Sequence, residues 1–250
     1  MPRTPAESIF FVTVIVLAGY VRGYGGFGFS MITVAGLSLL FPPAVVVPGV
    51  LLLEIVASAY LIAGVWRKVD WQALLWLSAG VILGTPAGVW LLGFLPEHLL
   101  KIAIAIVVAV LAVLLRIGFR PQHDIGRGGT LATGVFSGLF NGSAAVGGPP
   151  VILFFFSSPV GADISRASLI AYFLGTDIIA AGTCAGMGLL TLDSLHLFLA
   201  ALIPMGIGLA VGKRTFFQTD QAVFRKRVML YLILLSGLLL VKTVWDVYQV

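Results

Sequence analysis

Two acids stand inside long apolar runs. Glu54 is the twelfth residue of the run 43–66, and Asp177 the fourteenth of the run 164–190. On insertion scales a carboxylate at the middle of an apolar helix costs about 2.5–3.5 kcal/mol, so it faces a cavity or a partner. Two readings fit. Glu54 and Asp177 are either proton-coupling or substrate-gating carboxylates, or structural hydrogen-bonding groups that tie their helices to a glycine-rich break. An intramembrane acid is a functional candidate by default, which favours the first.

Arg22 lies inside the run 9–41, beside Gly23, Gly25, Gly26 and Gly28. A guanidinium fork donates paired hydrogen bonds, and a helix restarting after glycines adds N–H groups and a positive dipole end. Together these make an anion cradle. An ion pair with Glu54, or snorkelling to the interface, is the alternative. Asn141 is the counterpart of Arg22 in the second half, within Asn141-Gly-Ser-Ala-Ala-Val-Gly-Gly-Pro-Pro150. The same argument makes Gly142, Ser143, Gly147 and Gly148 candidates, because small side chains let a ligand approach the backbone. The expected substrate-binding set is Arg22, Gly25, Gly26, Gly28, Asn141, Ser143, Gly147 and Gly148. For any one glycine, plain helix packing is the commoner reason.

The elements that hold these residues are read from composition. The chain has 250 residues, 60% hydrophobic and only 10% charged, with a mean hydropathy of +1.10. An ordinary globular domain carries roughly 25% charged residues, so a soluble protein is excluded and an all-α polytopic membrane protein expected. The net charge of +5 fits loops that collect Lys and Arg, not a nucleic-acid partner. Runs of about 20 apolar residues divide the chain into eight elements: 9–41, 43–66, 71–95, 98–117, 129–158, 164–190, 193–212 and 223–247. Arg3 alone precedes the first, Glu7 flanks it, and no small-x-small site follows, which reads as a retained membrane element. The first and fifth are interrupted by Gly and Pro, as broken helices are when their freed backbone groups face a cavity.

The halves resemble each other. Gly19…Gly23 lines up with Gly138…Gly142 at an offset of 119, and Glu54-Ile-Val-Ala-Ser58 with Asp177-Ile-Ile-Ala-Ala181 at 123. Asp70 meets Asp193, and Gly84…Gly88 meets Gly208…Gly212. Weak internal repeats of this kind mark secondary transporters, so residues 1–120 and 121–250 are read as two four-element repeats. If all eight elements cross once, Lys and Arg divide seven to seven between the faces. If elements one and five are hairpins, eleven fall on one face and only Arg3, Lys101 and Lys242 on the other. The crowded face is then cytoplasmic, the repeats are inverted, and both termini lie outside.

Other features carry less chemistry. Gly80, Gly84 and Gly88, with Gly208 and Gly212, recur at four-residue spacing, a small-residue packing seam. Trp66, Trp71 and Trp76 look like interface anchors. His98, His123 and His196 share no spacing, so no metal site is expected. Cys184 is alone, which excludes a paired-thiol site. No hydrolase or nucleotide-binding motif occurs, so neither an enzyme nor a cofactor is expected.

These residues resemble the sulfite exporter TauE/SafE family over essentially the whole length. The carriers are Gly19…Arg22-Gly23…Gly26-Phe27-Gly28, Pro42-Pro43, Val69-Asp70-Trp71 and Leu95-Pro96-Glu97 in the first half. In the second they are Gly138…Gly142, Gly147-Gly148-Pro149-Pro150-Val151 and Arg166-Ala167. The resemblance implies an inner-membrane permease that moves sulfite or small organosulfonates, often outward. The expected function is therefore a secondary transporter of small anions, driven by membrane potential or protons. An anion channel and a non-transporting membrane scaffold are the alternatives. The expected partners are the anion and the lipid bilayer, with a homodimer left open.

Overall fold

The computed structural model describes residues 4–117, 126–157, 161–215 and 221–248. The boundary at 120/121, with Arg3, Arg120 and His123, lies outside the described residues. Among those described, ten α-helices and one 3-10 turn (Trp66–Lys68) occur, and no strand. The helices are α1 (Pro5–Gly25), α2 (Phe29–Leu37), α3 (Pro43–Ile62), α4 (Trp71–Phe94) and α5 (Glu97–Arg116), then α6 (Arg127–Ala144), α7 (Gly148–Ser157), α8 (Ala162–Gly186), α9 (Leu192–Thr215) and α10 (Gln221–Tyr248).

The first and fifth apolar runs each split in two. α1 starts four residues before its apolar run because Thr4 accepts the Glu7 N–H at 3.2 Å and Pro5 occupies the first turn, both good helix starts. It stops at Gly26, whose φ of 76° is left-handed and whose N–H returns to the Arg22 carbonyl. Gly28, with φ 92°, opens α2. α6 stops the same way on Ala145, φ 53°. A side chain is strained there, by roughly 1–2 kcal/mol. At 1.5 Å per residue, α2 with 9 residues and α7 with 10 reach only about 15 Å. Neither crosses a hydrocarbon core of about 30 Å.

Contacts fix the helix directions. Gly208 of α9 sits on Val16 and Tyr20 of α1, and Gly212 on Tyr20 and Tyr24, so α1 and α9 run parallel. α3 touches α9 near its start, Gly49 against Ser194 and Leu197, and near its end, where the Lys213 amine lies 4.7 Å from the Tyr60 ring. These two are parallel as well. α1 and α3 therefore share a direction, and α2 with the turn after it must carry the chain back between them. Likewise α4 runs parallel to α6, with Gly80 on Leu131 and Gly88 on Leu139. It also runs parallel to α8, with Asp70 at Ser168 and Gly93 at Leu189. α7 is thus a second return segment. Arg166, early in α8, meets Gly23, late in α1, so the two sets of helices oppose each other.

The glycine rows are where helices touch most closely. A Cβ on Gly80, Gly84 or Gly88 would lie within 3.0 Å of α6 backbone, and one on Gly134, Gly138 or Gly142 within 3.0 Å of α4 backbone. Between α1 and α9, Gly19 and Gly23 lie against the backbone of Met205, Leu209 and Lys213, and Gly208 and Gly212 against that of Val16, Tyr20 and Tyr24. The seam read from the spacing is present, and α6 and α1 supply its other faces. Trp66, Trp71 and Trp76 are exposed, and Arg67 and Arg127 lie over the rings of Trp66 and Trp76.

Candidate functional site

The end of α1, the start of α2 and the middle of α3 bring Arg22 and Glu54 together. Arg22 is the largest fully buried side chain among the described residues. Its Nη2 lies 2.9 Å from Glu54 Oε2 and donates to Ser58 Oγ at 2.6 Å. Its Nη1 donates to the Gly26 carbonyl at 2.8 Å. The other Glu54 oxygen accepts the Ser30 N–H, in the first turn of α2, at 3.1 Å. In this structure Arg22 makes the ion pair with Glu54. The fork holds protein groups, and only Nε lacks a hydrogen-bond acceptor among the described residues. Its central carbon lies 4.7 Å from the centre of the Phe173 ring, within cation–π range.

α6, the start of α7 and the middle of α8 build the second cluster. Asn141 Nδ2 donates to Asp177 Oδ1 at 2.9 Å, and its Oδ1 accepts the Gly147 N–H at 3.3 Å. The Ser137 hydroxyl donates to the Gly147 carbonyl and accepts the Tyr172 hydroxyl at 2.7 Å. Asp177 Oδ2 is buried and has no hydrogen-bond partner among the described residues. Asp177 lies within electrostatic range of both Glu54 and Arg22, because α3 and α8 pack together. The two clusters thus form one buried polar region.

The expected binding residues divide accordingly. Arg22, Gly26 and Asn141 belong to this region. Gly28 shapes the break, where a Cβ would meet Val21 at 3.0 Å. Gly147 is locked against Asn141, and Gly148 faces Phe173. Gly25 lies beside the Phe27 ring. Ser143 does not join them. It stands about 200° round the helix from Asn141, gives its hydroxyl to the Leu139 carbonyl, and borders an apolar groove between α4, α5 and α6. Gly142 is also placed elsewhere, packed on Thr85 and Val89 in the α4 seam. Ser58 and Phe173 were not among the expected site residues. The signal for them is spacing: each is four residues, one helical turn, from its acid.

Seven of the described helices are long and apolar enough to cross a membrane: α1, α3, α4, α8 and α9 over most or all of their length, with Glu97–Leu114 of α5 and Leu230–Tyr248 of α10. With a buried ion pair at a helix break, this defines a multi-pass all-α membrane protein. The chain belongs to the sulfite exporter TauE/SafE family, which matches residues 11–240. A protein of Cupriavidus necator named "Probable sulfite/organosulfonate exporter TauE" is 30% identical over 168 residues. That match covers 64% of this chain and 65% of the relative, slightly less than two thirds of the relative's length. No solved structure matches the chain.

Proposed function

We propose that this chain is a secondary transporter that carries small anions, sulfite or C2–C3 organosulfonates, outward across the plasma membrane. The reading is carried by the Arg22–Glu54 pair, a fully buried guanidinium tied to a carboxylate where a helix breaks. A guanidinium fork matches the planar edge of an oxyanion. A proton on Glu54 cancels the charge that holds Arg22, and the fork then turns to the substrate. When the anion leaves, Glu54 releases its proton and the pair re-forms. Asp177 is the second acid of the same cycle. The membrane potential acts on the net charge moved, about 2.3 kcal/mol per charge per 100 mV, so it drives outward a dianion accompanied by one proton but not a monoanion accompanied by one. The name of the Cupriavidus relative supports the substrate class. Burial of Arg22, Glu54, Asn141 and Asp177 to 2% exposure or less favours alternating access over an open channel.

The orientation is part of the proposal. α1, α3 and α9 run toward one face, where Arg67 and Lys68 follow α3 and Lys213 and Arg214 end α9. By the excess of basic residues this face is cytoplasmic, which puts both termini outside and makes the two halves inverted repeats.

The test is flux of labelled sulfite or sulfoacetate from proteoliposomes, with a potential and a pH gradient imposed separately. Wild type is expected to show saturable flux, Arg22→Ala and Glu54→Gln to abolish it, and Asp177→Asn to weaken its response to the pH gradient. Absence of flux for every small sulfonate and carboxylate, or flux unchanged in Arg22→Ala and Glu54→Gln, overturns the reading.

A further inference from the structure

The four residues from Gly23 to Gly26 form the turn that ends α1, and a guanidinium holds the carbonyl at each end of it. Arg22 Nη1 donates to the Gly26 carbonyl, and Arg166 Nη2 to the Gly23 carbonyl at 2.9 Å. The Arg166 stem lies across the turn, with its Cγ 3.0 Å from where a Gly26 Cβ would be. Arg166 comes from the second turn of α8, a different part of the chain from Arg22. It is half-buried, whereas Arg22 is fully enclosed. The exposed Asp163 on its own helix is bonded to Lys68 at 2.8 Å. Asp163 also lies within electrostatic range of Arg166.

Two like charges are thus brought within electrostatic range of each other at one turn. Each donates to a neutral carbonyl of the turn, a weaker acceptor than an oxyanion, while Arg22 is held besides by Glu54. An oxyanion with three oxygens can replace both carbonyls and, once a proton on Glu54 has freed Arg22 from its ion pair, relieve the repulsion between the cations. We infer that Arg166 is a second substrate-binding residue, the outer arm of a two-arginine clamp that takes an oxyanion at the Gly23–Gly26 turn and passes it to Arg22. This rests on the transport reading above and adds to it the residue that meets the anion first.

The test is the concentration dependence of sulfite flux in proteoliposomes for wild type, Arg166→Gln and Arg166→Lys, with the melting temperature of each protein read with and without sulfite. Arg166→Gln is expected to raise KM at least tenfold with kcat within twofold, and to lose the sulfite-induced rise in melting temperature. Arg166→Lys, which keeps the charge but not the fork, is expected to fall between. A merely structural cap on Gly23 would instead lower the melting temperature without sulfite and leave KM in place, which overturns the inference. If Arg166→Gln does not fold, Arg166→Lys decides: a KM raised severalfold upholds the clamp, and an unchanged KM overturns it. Wild type inert to sulfite and to every other small oxyanion tried would sink the transport reading, and the clamp with it. Wild-type flux with KM indifferent to Arg166 sinks the clamp alone.

Discussion

The two clusters of the buried region stand at matching offsets, yet one is charged and the other neutral in its partners. Arg22 and Asn141 are 119 residues apart, Glu54 and Asp177 123 apart. Around Glu54, three groups converge: a guanidinium, the Ser30 N–H, and Ser58 through the guanidinium. Among the described residues, the hydrogen bond to Asp177 comes from the Asn141 amide, with Arg22 and Glu54 within electrostatic range. The position 119 residues beyond Ser30 is Pro149, and proline has no N–H to give. Ser58 is likewise matched by Ala181. Similar backbone breaks therefore hold two acids differently: one is paired with a cation at 2.9 Å, the other is bonded to an amide and has an oxygen with no hydrogen-bond partner among the described residues. The difference teaches that matching positions along the chain need not share a role, since the pairing of each acid depends on three or four side chains around it.

The comparison breaks most visibly at Arg22. Arg22→Ala leaves Glu54 charged and buried, and removing one partner of such a pair costs about 3–5 kcal/mol. The melting temperature in detergent should fall accordingly. The double change Arg22→Met with Glu54→Met should restore most of that loss, because apolar replacement of a whole buried pair is often neutral or stabilising. A double variant as unstable as the single one would show that the pair is not the source of the loss. The amide cluster is expected to respond less. Asn141→Ala strands Asp177 Oδ1 and the Gly147 N–H, at about 1–3 kcal/mol, and its melting temperature should drop by less than that of Arg22→Ala. The smallest effect has the opposite sign. Ala145→Gly relieves a left-handed alanine where the first break has Gly26, and should stabilise by up to about 1 kcal/mol. Thermal denaturation of Ala145→Gly beside wild type reads it directly, and a lower melting temperature would mean that the alanine side chain packs better than its backbone is strained.

What the sequence shows and hides has a physical pattern. A charge inside an apolar run is costly wherever it sits, so Arg22, Glu54 and Asp177 stand out with no structure at all. Glycines in a row of four-residue spacing announce a helix face, and the α4 seam follows from them. The partner of that face cannot be read, since Gly134 and Gly138 meet α4 only through the fold. Ser58 and Phe173 are unremarkable in composition, and their part comes from facing an acid one turn away. Arg166 sits close to the start of its apolar run and reads as an interfacial flank; only the direction of α8 against α1 turns it toward the break. Ser143 qualifies at the level of sequence by its small side chain beside the break, but two residues from Asn141 on a helix it points to another side.

The glycine faces also set an order of events during synthesis. Gly19 and Gly23 of α1 pack on Met205 and Leu209 of α9, some 186 residues further along the chain. When α1 leaves the ribosome, the surface that will receive Gly19 and Gly23 does not yet exist. α1 must wait in the bilayer with its bare backbone face toward lipid or a chaperoning helix until α9 is made. α4 and α6 close within a far shorter stretch of chain. Of the two glycine seams, that of α4 and α6 can therefore close first, and the helix that carries Arg22, already tied to α2 and α3, gains its own seam only when α9 arrives.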